Sequence, residues 1–372
     1  MKKIIDQIED SLLQKSNPKS PPEFISTECI PLNLAASQKG VDGGWARGRI
    51  INIVGDNSSG KTILALESLF SAYKNIQVGS ESKTFPKVKK VSLVYNNAEG
   101  VMDFDVREMY GHKFFNSVEW IQTNVCQDFG KDYERRVMEL EEGDFLFYII
   151  DSIDSTISQE QVDRITKSIK TDKIEEASYN TEKAKYFSNS FFNYLCMLMS
   201  GQDPEKKKIL NKPKDSTLIC ISQVRENLNA GIFGKKFYRT GGKAMDFYCH
   251  QVCWLYQIEK MKIIRKGQEK VFGVKIKSKF EKNKVAKPYR EADFRILFSY
   301  GIDNIESMVD YVYGPKKHEI EFNGEEYKRI DFIHLCEDNP DFYNGLINDT
   351  VELWDDIESA TIPDRKKRYI EE

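Results

Sequence analysis

No apolar run in the 372-residue chain approaches the roughly 20 residues that a membrane-spanning helix needs. The opening stretch, "MKKIIDQIEDSLLQK", breaks its Ile and Leu residues with acids, unlike a secretory signal. These two absences predict a cytoplasmic protein with no membrane partner. A disulfide framework is also missing. The seven cysteines (29, 126, 196, 220, 249, 253 and 336) are odd in number, scattered and mostly set in apolar stretches such as "LICIS", which suits buried thiols in a reducing compartment. Cys249 and Cys253 flank His250, but zinc needs two further ligands at recognisable spacing and none is near, so the pair reads as packing. Internal repeats are absent, and the formal net charge is only −3. That charge is unevenly spread. Residues 259–290 hold twelve Lys/Arg against three Glu, a net of +9, whereas residues 318–372 hold six against sixteen acids, a net of −10. The two stretches can attract each other, and the basic one can meet a polyanion.

What the chain does have is ordinary for a globular protein: 40% hydrophobic and 30% charged residues, enough for one large domain and a small one. Residues 1–15 fit a short amphipathic helix that the prolines of "KSNPKSPPEF" end. From about residue 48 strands and helices alternate, which predicts an α/β fold with a mostly parallel central sheet flanked by helices. "RIINIVG", "KKVSLVYNNAE", "VEWIQTN", "DFLFYIIDS", "STLICISQ", "QVCWLYQIEKM", "FGVKIKSKFEKNK" and "ADFRILFSYG" read as strands. The expected division is 1–28 as an N-terminal helix and linker, 29–305 as the core, and 306–372 as a small acidic C-terminal α+β domain.

"GDNSSGKT", Gly55 to Thr62, matches G-x-x-x-x-G-K-[ST] between a strand and a helix. Gly55 and Gly60 let the backbone curl so that successive N–H groups of Asp56, Asn57, Ser58 and Ser59, with the start of the following helix at Lys61, Thr62 and Ile63, surround a nucleotide β-phosphate. Lys61 reaches the β- and γ-phosphates, and the Thr62 hydroxyl ligates Mg²⁺. Asp151 ends the apolar run "FLFYIID", where a phosphate loop requires an acid for the metal; Asp154 reads as a cap or turn residue. Glu99 closes "VSLVYNNAE" at the carboxyl edge of the sheet, placed to polarise an attacking water or to cap a helix.

"FEKNKVAKPYREADF", residues 280–294, puts Lys282 and Lys284 on one face of an expected strand while Asn283 points away. Like charges side by side repel unless an anion faces them. From these residues alone, a charged edge strand that discourages sheet pairing is the simpler reading.

The order and spacing of "GGWARGRIINIVGDNSSGKT", "AEGVMD", "IIDS", "SQVR", "IFGKKFYRTGGKAMDFY" and "KNKVAKPYREADF" resemble the RecA recombinase family over residues 24–303. The phosphate loop alone marks a superfamily, whereas "TGGKAMDFY" with "KNKVAKP" is far more specific. The resemblance implies a RecA-like P-loop ATPase core that uses ATP and Mg²⁺. Glu99 would activate water, Asp151 would support the metal, and Gln223 would sense the γ-phosphate. Asp103 would lie beside the adenine, although Val106 stands where an aromatic residue is expected to stack on the base. Lys282 and Lys284 would act in trans on a neighbour's γ-phosphate, making ATP the glue of a head-to-tail helical filament.

The stretch 225–243, "RENLNAGIFGKKFYRTGGK", is long, basic and aperiodic, as functional loops are. It resembles the family's second DNA-binding loop. Arg225, Lys235, Lys236, Arg239 and Lys243 are candidates for phosphates, Phe233 and Tyr238 for bases, and Thr240, Gly241 and Gly242 for close backbone approach. The first loop, about 156–182, is longer than the family suggests and receives no individual assignments. The resulting expectation is a DNA-dependent ATPase that polymerises on single-stranded DNA and exchanges it with homologous duplex DNA, in a bacterial cell or a phage-infected host. The alternatives are a RecA-fold ring motor, such as a helicase or loader, and a DNA-binding filament that ATP switches without strand exchange.

Overall fold

The computed structural model describes residues 22–100, 102, 104–171, 179–199, 202–203, 208–209, 213–226, 237–239 and 242–365. The expected N-terminal helix at 1–15 lies outside them. In chain order, a two-residue strand β1 (Phe24–Ile25) precedes α1 (Ile30–Ser37) and pairs with β2 (Trp45–Ala46). The strand β3 (Ile50–Gly55) then leads through the phosphate loop into α2 (Lys61–Asn75). There follow β4 (Lys90–Asn97), the short helices α3 (Val106–Tyr110) and α4 (His112–Ser117), β5 (Val118–Ile121), α5 (Cys126–Glu139) and β6 (Asp144–Asp151). An arm of two helices comes next, α6 (Gln159–Thr171) and α7 (Tyr179–Tyr186), and then α8 (Phe192–Met199). A small antiparallel pair follows, β7 (Gln202–Asp203) and β8 (Lys208–Ile209). The strand β9 (Ser216–Glu226) carries β10 (Phe237–Arg239) antiparallel at its end, ahead of α9 (Gly242–Tyr248). The two "QVCWLYQIEKM" and "FGVKIKSKFEKNK" strands form one long hairpin, β11 (Gln251–Arg265) and β12 (Gln268–Asn283), with β13 (Glu291–Leu297) and β14 (Gly301–Asp303) beside it.

The main sheet runs β14-β13-β12-β11-β3-β9-β6-β4-β5. Every pairing from β11 to β5 is parallel, and the β11–β14 end is antiparallel. The expected mostly parallel sheet is therefore observed. Its strands read as continuous apolar runs because both faces are covered. In β6, Phe145, Phe147 and Ile149 join the cluster under α2, whereas Leu146, Tyr148 and Ile150 join the one under α5 and α8. Alternate side chains of one strand thus serve two cores.

Past residue 303 lie α10 (Asn304–Tyr313), the hairpin β15 (Glu319–Phe322) and β16 (Glu325–Lys328), α11 (Arg329–Asp338) and α12 (Pro340–Ala360). Phe322, Phe332, Leu346 and Trp354 of this α+β segment belong to the same apolar cluster as Ile51, Leu64 and Phe294 of the sheet layer.

Candidate active site

Strand register gathers the site. Gly55 of β3 lies opposite Gln223 of β9, and Asp151 of β6 lies opposite Asn97 of β4, two residues before Glu99. Four strands therefore deliver their chemistry to one carboxyl edge, the place where open α/β sheets bind ligands.

The loop between β3 and α2 needs its glycines. At Gly55 an added Cβ would stand 2.2 Å from Ser59 Oγ, and at Gly60, with φ +82°, it would meet Ile296 Cδ1 at 2.3 Å. Within the curl, Lys61 Nζ donates to Asp56 O at 2.7 Å. Burial lowers the Lys61 pKa, while Asp151 and Glu99 act in the opposite sense. The Thr62 hydroxyl donates to Asp151 Oδ2 at 2.7 Å, and the Tyr95 hydroxyl donates to the same oxygen at 2.6 Å. Burial pushes the Asp151 carboxyl up, against the lowering effect of these two donors. The donor set fits a metal–nucleotide pair. A hydroxyl and a carboxylate already in contact are the protein's usual share of an Mg²⁺ site whose other ligands are phosphates and water. Ser59 Oγ, buried in the loop without a hydrogen-bond partner, supplies an unused polar atom there.

Glu99 is the second focus. Its Oε1 accepts from Gln223 Nε2 at 3.1 Å, Ser152 Oγ at 2.9 Å and Ser155 Oγ at 3.3 Å, and its N–H donates to Asp151 O at 3.2 Å. Asp154 lies in the short turn Ile153–Ser155, where its Oδ2 accepts from Gln223 N at 2.8 Å. The turn reading of Asp154 agrees with this position, but its hold on Gln223 had no local signal.

Beside the loop opens a cleft of about 650 Å³ whose apolar walls include Phe104, Met109, Val274 and Phe298. Asp103 lies outside the described residues. Val106 is buried in the core and does not line the cleft. Aromatic surface comes instead from Phe104, three residues after Val101, and from Phe298 in "FSYG". Sequence reasoning missed both, since neither occupies the expected position.

Lys282 and Lys284 do converge, as the strand pattern requires. Lys282 Nζ donates to Asp246 O and, at 2.8 Å, to Phe247 O; Lys284 Nζ reaches Phe247 O at 3.4 Å. The last carbonyls of α9 thus face both cations, the favourable charge at a helix C-terminus. Asn283 points away, donating to Ala36 O at 2.7 Å. The register also separates the pair from this chain's own phosphate loop. Lys282 is paired with Val252, which is paired with Asn52, and Lys284 N bonds His250 O, whose N–H bonds Ile50 O. Lys284 is therefore about five strand residues back from Gly55, roughly 17 Å. Burial and the adjacent Lys284 lower the Lys282 pKa.

Of the expected DNA contacts, Phe233, Lys235, Lys236, Thr240 and Gly241 lie outside the described residues. Arg225 is in β9 opposite Tyr238 of β10, and Gly242 and Lys243 begin α9. Arg239 turns inward. Only 5% exposed, it donates to Asn52 Oδ1 and to Asp246 Oδ1, so it braces β10 and α9 against the sheet. A cation in a basic loop offered no local sign of this burial; its acceptors come from distant positions. Among the described residues no group of three or more His, Cys, Asp or Glu could hold a metal by itself, and no helix is long and apolar enough to cross a membrane.

Comparison with known proteins gives the arrangement a context. The family model described as the RecA N-terminal domain matches residues 157–303, from α6 to β14. The chain is 27% identical to Protein RecA of Sulfurovum sp. over 287 residues, 77% of this chain and 69% of the relative. It is 28% identical to Protein RecA of Nitratiruptor sp. over 315 residues, 83% and 76% of the two chains. Against Protein RecA of Rippkaea orientalis it is 26% identical over 344 residues, 89% and 81%.

Proposed function

We propose that the chain, similar to Protein RecA of several bacteria over most of its length, is a RecA-family, ATP-dependent recombinase that assembles on single-stranded DNA, pairs it with homologous duplex and hydrolyses ATP to release the product. The observation that carries this reading is the split between the two edges of the sheet. Gly55, Asp151, Glu99 and Gln223 share the carboxyl edge, whereas Lys282 and Lys284 stand several residues back, out of reach of the same loop. A cradle that lacks the lysine pair and a lysine pair that lacks a cradle would complete each other when chains stack head to tail, which generates an open helix.

In this reading the loop N–H groups and Lys61 hold the phosphates, with the base in the Phe104–Phe298 cleft. The Thr62 hydroxyl, with Asp151 in support, would hold Mg²⁺, which would supply charge neutralisation at the phosphates. Glu99 orients and polarises the attacking water. Gln223, hydrogen-bonded to Glu99 and continuous through β9 with residues 227–236, carries the state of the γ-phosphate toward the DNA-binding stretch. Lys282 and Lys284 neutralise charge from the neighbouring protomer. Arg225 and Lys243, with Phe233, Lys235, Lys236, Thr240, Gly241 and Gly242 between or beside them, are the proposed DNA contacts; Tyr238 shares that stretch.

Electron microscopy with single-stranded DNA and a non-hydrolysable ATP analogue, followed by a strand-exchange assay, tests the proposal. Helical filaments together with joint molecules support it. Closed rings indicate a motor, and filaments that never yield joint molecules indicate an ATP-switched DNA-binding protein.

A further inference from the structure

A second cleft, of about 550 Å³, opens where α2, α3 and β14 meet the corner between α11 and α12. The nucleotide site makes no use of it, although Met109 lines both clefts. Its charge is one-sided. Glu28, Glu67 and Glu337 line it, and among the described residues no lysine or arginine does. Lys74, whose charge reaches Glu67, is already paired with Glu28 Oε2 at 2.7 Å.

Acids on an exposed rim are ordinary, but Glu67 is only 7% exposed. It is held on one side alone. Its Oε1 accepts from Tyr110 OH at 3.2 Å and Ile302 N at 3.1 Å, while Oε2 has no hydrogen-bond partner among the described residues. That second oxygen is not sealed in the interior. Gly301 permits the arrangement, since a Cβ added there would stand 2.1 Å from Glu67 Oε1. Burial raises the Glu67 pKa, and the charge of Glu28 acts in the same sense, so the carboxyl is short of compensation. A poorly solvated carboxylate oxygen gains most from a charged donor.

The walls set the rest of the ligand's character. Tyr110 is fixed through Glu67, and Tyr343 through Asn304 Nδ2, which donates to its hydroxyl at 2.9 Å. Tyr300 is 59% exposed and leaves its ring free on the open side. Aromatic faces attract cations and cover apolar stems. A bare metal ion does not suit the place, because among the described residues no group of three or more His, Cys, Asp or Glu could hold one. The volume is that of a small-molecule site.

We propose that this cleft binds an organic cation with an apolar stem, its ammonium or guanidinium against Glu67 Oε2 and its stem against Tyr110, Tyr300 and Tyr343. A free amine and a lysine or arginine side chain share that chemistry. The site is independent of ATP hydrolysis.

Isothermal titration calorimetry without nucleotide, at pH 8 and about 0.15 M salt to screen exposed charges, tests it. The ligands are 1,5-diaminopentane, agmatine, the blocked peptide acetyl-Gly-Lys-Gly-amide and the neutral 1,5-pentanediol. At least one cation should saturate a single site with Kd below about 1 mM, and the diol should not. Glu67→Gln, which keeps an acceptor for Tyr110 and Ile302, weakens the cation about tenfold or more, and Tyr300→Ala weakens it about two- to fivefold. Tighter binding of the peptide identifies a protein side chain as the occupant, and tighter binding of a free amine identifies a small molecule; either supports the site. No saturation by any cation up to about 10 mM overturns the proposal, as does a diol that binds as well as the diamine. Native affinity in both variants also overturns it, placing the amine on other surface acids. Should Glu67→Gln not fold, Tyr300→Ala and Tyr300→Phe decide: weakened binding in the first with native binding in the second supports the cleft, and equal affinity overturns it.

Discussion

Glu67 of α2 is a buried carboxylate that borders a second cleft, near the junction of α2, α3 and β14. Its Oε1 accepts from Tyr110 OH at 3.2 Å and from Ile302 N at 3.1 Å, yet burial outweighs both and moves the carboxyl from an ordinary 4.5 up to about 7. The folded chain therefore holds this proton more tightly than the unfolded one. The associated stability is complete below about pH 4.5 and fades as pH rises through about 7. Glu67→Gln keeps an acceptor for both donors and cannot ionise. Urea unfolding should show it close to the native chain at pH 4.5 and more stable, by about 1–3 kcal/mol, at pH 8. Equal differences at both pH values would contradict the burial argument. Glu99→Gln makes the complementary test of chemistry. It preserves Oε1 as an acceptor for Ser152, and it should bind ATP while losing about two orders of magnitude or more in turnover; undiminished turnover removes Glu99 from the role of base. The legibility of these groups differs for a physical reason. The phosphate loop, Asp151, Glu99 and Gln223 were readable because ligand chemistry needs those residue types where particular strands end. Tyr95 and the inward Arg239 were not, because each owes its place to acceptors distant in the chain, and Phe104 and Phe298 line the cleft beside the loop from positions that no spacing rule marks.

The helix α10 shows the same distinction in packing. Its Asp310 is approached by cations from three elements: Lys275 of β12 at 3.0 Å, Arg295 of β13 through Nε at 2.9 Å and Nη2 at 2.8 Å, and Arg329 of α11 at 2.5 Å. Burial alone would push this carboxyl up, but the hydrogen bonds and charge of Arg295 and Lys275 hold it below its ordinary value. Glu306, one turn earlier, shares Arg295 at 2.8 Å and Arg329 at 3.4 Å. This cluster fastens the C-terminal segment to the antiparallel end of the sheet. Asp310→Asn leaves the cations partly uncompensated in a poorly solvated place and should cost about 3–5 kcal/mol of stability, read by denaturant unfolding. A cost under about 1 kcal/mol would mean that the apolar cluster around Phe332 and Leu346 suffices. The charge asymmetry of the sequence foreshadows the attraction. Lys287 and Arg290 of its basic stretch meet Glu358 of its acidic one, at 3.0 Å and 2.7 Å. The individual pairs were hidden, since net charge over a stretch does not say which side chains share a face. Strand positions were readable from apolar runs, whereas the continuous β11–β12 hairpin, whose exposed outer half breaks those runs with charges, was read as two shorter strands.

Assembly supplies the sharpest test of the proposed mechanism, because the lysine pair and the phosphate loop of one chain lie at different levels of the sheet. Two inactive variants can then be complementary. Lys61→Ala loses the cradle's cation but keeps Lys282 and Lys284; the double variant Lys282→Ala, Lys284→Ala keeps the cradle and loses the pair. Each alone should bind single-stranded DNA weakly or unproductively and turn over little ATP. Mixed in equal amounts on single-stranded DNA, they place an intact cradle against an intact lysine pair at roughly one interface in four, if protomers insert at random in a head-to-tail filament. Turnover near a quarter of the native value, rising and falling with the mixing ratio and greatest at equal proportions, is the expected result. Sedimentation of the mixture with DNA establishes that both variants enter the same assembly. Co-assembly without any recovered turnover would mean that the cations do not act across the interface. The contacts of Lys282 and Lys284 with Asp246 O and Phe247 O would then be their whole role, holding the end of α9 rather than a neighbour's phosphate.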